Sequence, residues 1–210
     1  NISTWADVNN LKLNKAKSVE IVFRRPRSKK AVPPPPIPGI ARVEEFSFLG
    51  VTFGNNFSVE THVNDIIGSC ARTLYALRIL RAHGMNNEAI HSAFKSTVLA
   101  RLLYASPAWW GFTNASQRDG LEAFIRKSIR LGFCSENIGS FQSMCKASDE
   151  QFFDAIKNNP SHILNHQSKP SSGYELRPRE HNYVLPDNAT RLADCNFINR
   201  ILYSKLSDFL

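Results

Sequence analysis

The apolar residues change period once along this chain, near residue 58, and that change limits the fold more than any motif does. Before it, Val19, Ile21 and Phe23 alternate with Ser18, Glu20 and Val22, and residues 40–54 carry Val43, Phe46, Phe48, Val51 and Phe53. β-branched and aromatic residues in a period of two read as strands. Gly50 supplies a kink or turn, so a hairpin fits over 40–54, closed by Gly54-Asn55-Asn56. From Val59 the steps become three and four, through Val63, Ile67, Cys70, Leu74, Leu77 and Arg81. That is an amphipathic helix, and Gly84 is placed to end it. Strands come first and helices after, so the pattern predicts an α+β fold and not a doubly wound sheet. The expected organisation is a small αβ region over 1–54, a helical region over 58–131 and a loop-rich C-terminal extension over 132–210.

Residues 3–12 read as a short helix that Ser3 or Thr4 can cap. The string Arg24-Arg25-Pro26-Arg27-Ser28-Lys29-Lys30 is too charged and broken for a core element. Five of the eleven prolines then fall between Pro33 and Pro38. Proline lacks a donor and fixes φ, so 24–39 should be an exposed, extended loop. Asn86 and Asn87 can cap a second long helix with a stripe at Ile90, Phe94, Thr97 or Val98, Arg101 or Leu102, and Ala105, stopped by Pro107. A third helix is expected over about 116–131, with Leu121, Phe124, Ile125, Ser128 and Leu131 inward and Gly132 as its stop. A fourth, over about 148–158, would place Asp149 and Glu150 in its first turn, where the helix dipole favours acids. Residues 165–188 look irregular. A last helix spans 189–206 through Leu192, Phe197, Ile201 and Leu202.

Charge is clustered. The net charge is +8, yet residues 1–30 hold 8 basic and 2 acidic side chains and residues 72–130 hold 9 and 3. Two separate basic blocks point to a polyanion, most simply nucleic acid. On the third helix Arg126, Lys127 and Arg130 share a face away from the apolar stripe, and Arg78 and Arg81 share a flank of the first long helix. With the 24–30 cluster they could line a groove that follows a phosphate backbone, although a basic flank is often only a solvated face. The 24–30 string also has the composition of a nuclear localisation signal. Trp109, Trp110 and Phe112 suit an aromatic plug between helices better than a base-stacking platform.

Catalytic patterns are scarce. A two-metal enzyme needs clustered carboxylates. The adjacent acidic pairs are Glu44-Glu45, whose side chains point to opposite faces of a strand, and Asp149-Glu150. There is no P-loop, GxSxG or GxGxxG. Cys134, Cys145, His162 and His166 are too widely spaced for a common zinc site, and they read as ordinary thiols and imidazoles. The four cysteines form no CxxC and no leader precedes them, so the expectation is reduced thiols in an intracellular protein. The N-x-S/T strings at Asn1, Asn56, Asn114 and Asn188 carry no weight without secretion.

One stretch has a recognisable order. Trp5-Ala6-Asp7-Val8-Asn9-Asn10-Leu11-Lys12-Leu13-Asn14-Lys15-Ala16-Lys17-Ser18, followed by an apolar strand, resembles the segment just after the catalytic aspartates in reverse transcriptases of non-LTR retrotransposons. Phe48-Leu49-Gly50-Val51 is similar to the following hairpin, the primer grip. Leu74-Tyr75-Ala76-Leu77-Arg78, Leu102 to Trp110, Leu176-Arg177-Pro178-Arg179 and Asn196-Phe197-Ile198-Asn199-Arg200 resemble the jockey-like branch, in the right order over nearly the whole chain.

The resemblance implies that 1–54 is the end of a polymerase palm, 58–131 the thumb and 132–210 an extension. It implies that Lys17 is the palm lysine that protonates the leaving pyrophosphate, and that Phe48, Leu49 and Gly50 press on the primer terminus. A solvated lysine beside Lys12 and Lys15 remains the plain alternative for Lys17. Arg78, Arg81, Arg126, Lys127 and Arg130 would face the duplex, a placement that rests on helical geometry alone. The paired-aspartate motif should lie shortly before Trp5 and is not in this sequence, nor are the other metal-binding aspartate and the fingers. The expectation is therefore a fragment of an RNA-directed DNA polymerase whose Mg²⁺ ligands lie elsewhere in the parent protein, with RNA template and DNA primer as partners. The alternative is a truncated, non-catalytic nucleic-acid-binding remnant of a mobile element.

Overall fold

The computed structural model describes residues 2–24, 32–164 and 190–207. The fold is α+β and mostly helical, and the chain divides into two compact units between His62 and Val63. Residues 132–207, as far as described, belong to the same unit as residues 63–131.

In the first unit, α1 runs Ile2–Val8. Ser3 and Thr4 lie inside it, so neither is the cap that the sequence suggested. It is shorter than expected because Asn10 takes a left-handed φ of 54°. The Asn10 amide donates to Asp7 and the Leu11 amide to Ala6, which closes off the last carbonyls. After a 3₁₀ turn at Lys15–Lys17 capped by Asn14 come β1 (Val19–Ile21) and β2 (Ala41–Val43). These pair in parallel, Glu20 opposite Arg42. A parallel pair needs a long connection, and the polyproline stretch supplies it. That stretch is tied down where Arg42 grips Glu20 (2.8 and 3.0 Å) and also donates through Nη1 to the Pro34 carbonyl. The Arg42 hydrogen bond, before any other influence, holds the Glu20 carboxyl below its ordinary value. The strand alternation expected around Val19 is not kept as burial. Val19 and Phe23 are exposed, and Glu20 is partly buried because its carboxylate has this partner. Of the basic string 24–30, all but Arg24 lies outside the described residues.

The expected hairpin is present: β3 (Glu45–Phe48) pairs antiparallel with β4 (Val51–Gly54). Asn55 N donates to Glu44 O and closes the base of the hairpin, and Arg24 N donates to Asn55 O and ties it to the chain beyond β1, both at 2.7 Å. Phe23 stacks on Phe57, ring centroids 4.3 Å apart.

The long helix α2 spans Glu60–Ala82. It ends as expected at Gly84 (φ 94°), with the Gly84 and Met85 amides bonded to Arg81 and Leu80. Asn86 caps α3 (Asn87–Ala93), accepting from the Ala89 amide. The helix then opens into a π turn over Phe94–Leu99 and resumes as α4 (Ala100–Leu103). The Thr97 and Ser96 hydroxyls both donate to the Ala93 carbonyl. Hydroxyls that take a carbonyl away from its usual amide are a physical cause of such widening. Ile90, Phe94, Val98 and Leu102 are fully buried, and Thr97 and Arg101 are exposed, which settles the stripe.

Pro107 does not stop this helix. The break falls at Tyr104-Ala105, where Ala105 has φ 49°, and Pro107 sits in the first turn of α5 (Ser106–Trp109), where a missing N–H does no harm. A 3₁₀ turn at Trp110–Phe112 leads to α6 (Ala115–Arg130). Asn114 and Gln117 cap α6 reciprocally, each accepting from the other's backbone amide at 2.9 Å. Gly132 ends it with φ 68°. Leu121, Phe124, Ile125 and Ser128 are buried as expected, but Leu131 is 42% exposed because the helix has already ended before it.

The next helix, α7, runs Phe141–Asn158, starting seven residues before the expected position. Ser140 caps it, and the Glu122 carboxylate of α6 accepts from the Phe141 and Gln142 amides. Its buried stripe is Phe141, Cys145, Asp149, Phe153 and Ile156. Asp149 is thus mid-helix and not in a first turn serving the dipole. The last helix is split at Cys195-Asn196 into α8 (Arg191–Asp194) and α9 (Phe197–Ser207). Phe197, Ile198, Ile201 and Leu202 pack on Phe153 and Ile156, whereas Leu192 is exposed. Residues 165–189, including the irregular stretch, His166 and the string Leu176–Arg179, lie outside the described residues.

Candidate nucleic-acid interface

The β3–β4 hairpin is joined by two residues, Leu49 and Gly50, with φ of 48° and 80°. Positive φ at both positions is the tight turn that matches strand twist, and it favours Asn-Gly or Gly-Gly. Gly50 meets the requirement. Leu49 does not, and a left-handed φ costs an ordinary residue about 1–2 kcal/mol. Leu49 is also 74% exposed and Phe48 62% exposed. Phe46 lies on the same face as Phe48, ring centroids 6.3 Å apart. The tip is therefore an outward apolar projection. In the same unit Lys17 closes the Asn14-capped 3₁₀ turn, its amide bonded to Asn14 and its residue exposed.

In the helical unit the C-terminal ends of α2 and α6 lie together. Arg81 Nη1 donates to the Leu131 carbonyl at 2.8 Å, and its guanidinium stands 4.5 Å from the Phe133 ring centroid. Arg81 is thus engaged in closing the end of α6, a role its position in the sequence did not reveal. Lys127 and Arg130 occupy the last turn of α6, and Arg78 lies one turn before Arg81. Arg78, Arg126, Lys127 and Arg130 are exposed. Cations at helix C-terminal ends are favoured by the dipoles, and here two such ends share one place. Exposed basic side chains thus flank the Arg81–Leu131 junction, and their N–H groups can donate to phosphate oxygens.

Other candidates are structural. Trp109 and Trp110 are buried against Phe141, centroids 6.3 Å away in each case, and the Trp109 indole donates to the Tyr104 carbonyl at 3.0 Å. The plug expectation is met for these two. Arg118 lies over Trp110 (4.7 Å to the ring centroid) and donates to Thr113 Oγ1, on one wall of a cleft of about 400 Å³. Cys70, Cys134 and Cys145 are buried free thiols. Burial pushes Cys70 up to about 11 and Cys145 to about 12, with the Asp149 carboxylate adding to the latter. Among the described residues no three His, Cys, Asp or Glu side chains gather as a metal site. No described helix is long and apolar enough to cross a membrane.

The largest miss is Arg200. It donates to both Asp149 carboxylate oxygens at 2.8 to 3.0 Å, to the Cys195 carbonyl at 2.9 Å and to the Pro107 carbonyl at 3.3 Å. Burial pushes the Asp149 carboxyl up from its ordinary value, and Arg200 pulls it back. The available signal was an acid standing in step with Phe141, Cys145 and Phe153.

Compared with models of protein families, with curated proteins and with solved structures, the chain finds no match.

Proposed function

We propose that this chain contributes the primer-grip and thumb contacts of an RNA-directed DNA polymerase of the kind that non-LTR retrotransposons of the jockey-like branch encode, acting in the nucleus on an RNA template and a DNA primer. The observation that carries the reading is the hairpin tip. An exposed leucine is kept at a left-handed turn position where Asn or Gly would fold better, and such strain clusters at sites of contact. The basic junction of α2 and α6 adds a place for the duplex backbone. Gly50 allows close approach at the tip, and Lys17 would donate a proton to the leaving pyrophosphate. The described residues do not fit the Mg²⁺ pair of such an enzyme. This chain's share is to bind and orient, and the purified chain with Mg²⁺ should yield no primer-extension product. A genuine product would overturn that division of labour.

The test of the reading is binding to duplex DNA with a recessed 3′ end, followed by fluorescence anisotropy from 50 to 200 mM salt. Contact with about five phosphates gives a slope of about −4.5 in log K against log salt. Replacing Arg126, Lys127 and Arg130 together by Ala should flatten it by about 2.7. Leu49→Asn should stabilise the hairpin by up to about 1 kcal/mol. It should also weaken binding to the recessed end about tenfold, equivalent to roughly 1.4 kcal/mol of apolar contact. A flat salt response, or full affinity in Leu49→Asn, would remove the reading.

A further inference from the structure

Outside the basic surface, polar groups converge on Arg200 in the helical unit. Its guanidinium reaches three segments at once: Asp149 in the middle of α7, the Pro107 carbonyl in α5 and the Cys195 carbonyl between α8 and α9. Asp149 is 3% exposed, so its carboxylate depends on this partner. Gly111 completes the arrangement. A Cβ there would collide with both the Arg200 guanidinium and the Cys195 carbonyl, so the absence of a side chain at 111 is a condition for seating Arg200. Gly111 lies next to Trp110, in the turn that carries the aromatic plug. Beyond this polar contact, the buried apolar partners of α9 are on α7, Phe153 and Ile156.

We propose that residues 190–207 form a closing strap, and that Arg200 is its latch: a positioning residue that couples the seating of α9 to the placement of the Trp109–Phe112 segment. The inference does not rest on the polymerase reading. The strap has two places to hold, an apolar one on α7 and a polar one on Asp149 and the Pro107 carbonyl, where the guanidinium lies against the bare face of Gly111. Losing the polar one frees the strap and loosens the 109–112 turn with it, because the same guanidinium holds the Pro107 carbonyl that leads into that turn and packs against Gly111. α6, whose cap and stripe do not involve Arg200, should keep its place.

Hydrogen exchange on the full chain tests this. In Arg200→Met, amides of 197–202 and of 109–112 should exchange about 100-fold faster, in step with each other, because a buried charge pair has lost one member. Amides of 121–128 should keep their wild-type rates. Gly111→Ala should give the same pattern, and the double variant should be no worse than Gly111→Ala alone, since both release one element. Equal acceleration of 121–128, acceleration of 197–202 with 109–112 unchanged, or additive effects in the double variant would each overturn the latch. Should the variants not fold, the wild-type chain in rising sub-denaturing urea answers the same question. Amides of 197–202 and 109–112 should then share one opening step below global unfolding, and separate steps would overturn the proposal.

Discussion

At the scale of single residues, the chain keeps several polar groups where an apolar one would serve packing. Cys70 and Cys145 are fully buried, and both thiols are held well above their ordinary value, to about 11 and about 12. An unfolded thiol titrates near about 8.5. The folded chain therefore retains two protons that the unfolded chain gives up as pH rises. The stability tied to these groups is whole below about pH 8.5 and falls above it, by up to about 1.4 kcal/mol per pH unit for each thiol. The decline should level off near 11 for Cys70 and near 12 for Cys145. Burial raises the Cys134 thiol as well, so urea unfolding between pH 8 and 10.5 should show that decline, and Cys145→Ala should remove part of its slope. An unchanged slope would mean that Cys145 does not govern it. Thiol titration at neutral pH offers a parallel check. Cys195, half-buried where the others are buried, should react first.

Elements are held less by propensity than by side chains at their ends. Asn114 and Gln117 satisfy each other's backbone amides at the start of α6, and Asn114→Ala should cost about 1 kcal/mol in urea unfolding, whereas a loss under about 0.3 kcal/mol would show the cap to be idle. This pair is legible in the sequence as Asn-x-x-Gln before an apolar run. The glycine stops at 84 and 132 were legible for the reason that they work, since both need a positive φ. What escaped were features that depend on distant partners. α7 is two turns longer than its apolar pattern suggested because Asp149 interrupts the stripe, and Arg200, fifty-one positions away, is what lets a carboxylate stand there. Likewise the π turn hangs on Thr97 and Ser96 competing for one carbonyl, and Arg81 is drawn to the end of α6 by Leu131. The candidate site shows the same division. Its basic residues and its hairpin could be read from spacing, whereas the meeting of two helix ends through Arg81 and Leu131 is a matter of packing.

For the molecule as a whole, the two units stand on unequal footing. The helical unit buries Trp109, Phe94, Phe141, Phe153, Leu121 and Ile125 and has local contacts within amphipathic helices. Among its described residues the unit 1–62 has two sheets of two strands each, and sheets that small are marginal in water. It also leaves Ile2, Trp5, Val8, Val19, Phe23 and Phe48 exposed. Unfolding should therefore proceed in two steps, with residues 1–62 opening first. Trp5 is 62% exposed and Trp109 and Trp110 are buried, so a Trp5→Phe chain reports the helical unit alone. Hydrogen exchange supplies the other half. Amides of 41–54 should lose protection at lower urea than the Trp109 and Trp110 emission shifts to the red. The division falls inside α2, between His62 and Val63, so the first turn of α2 should fray with the small unit while its later turns stay. Coincident transitions would show that the continuous helix couples the units into one cooperative body.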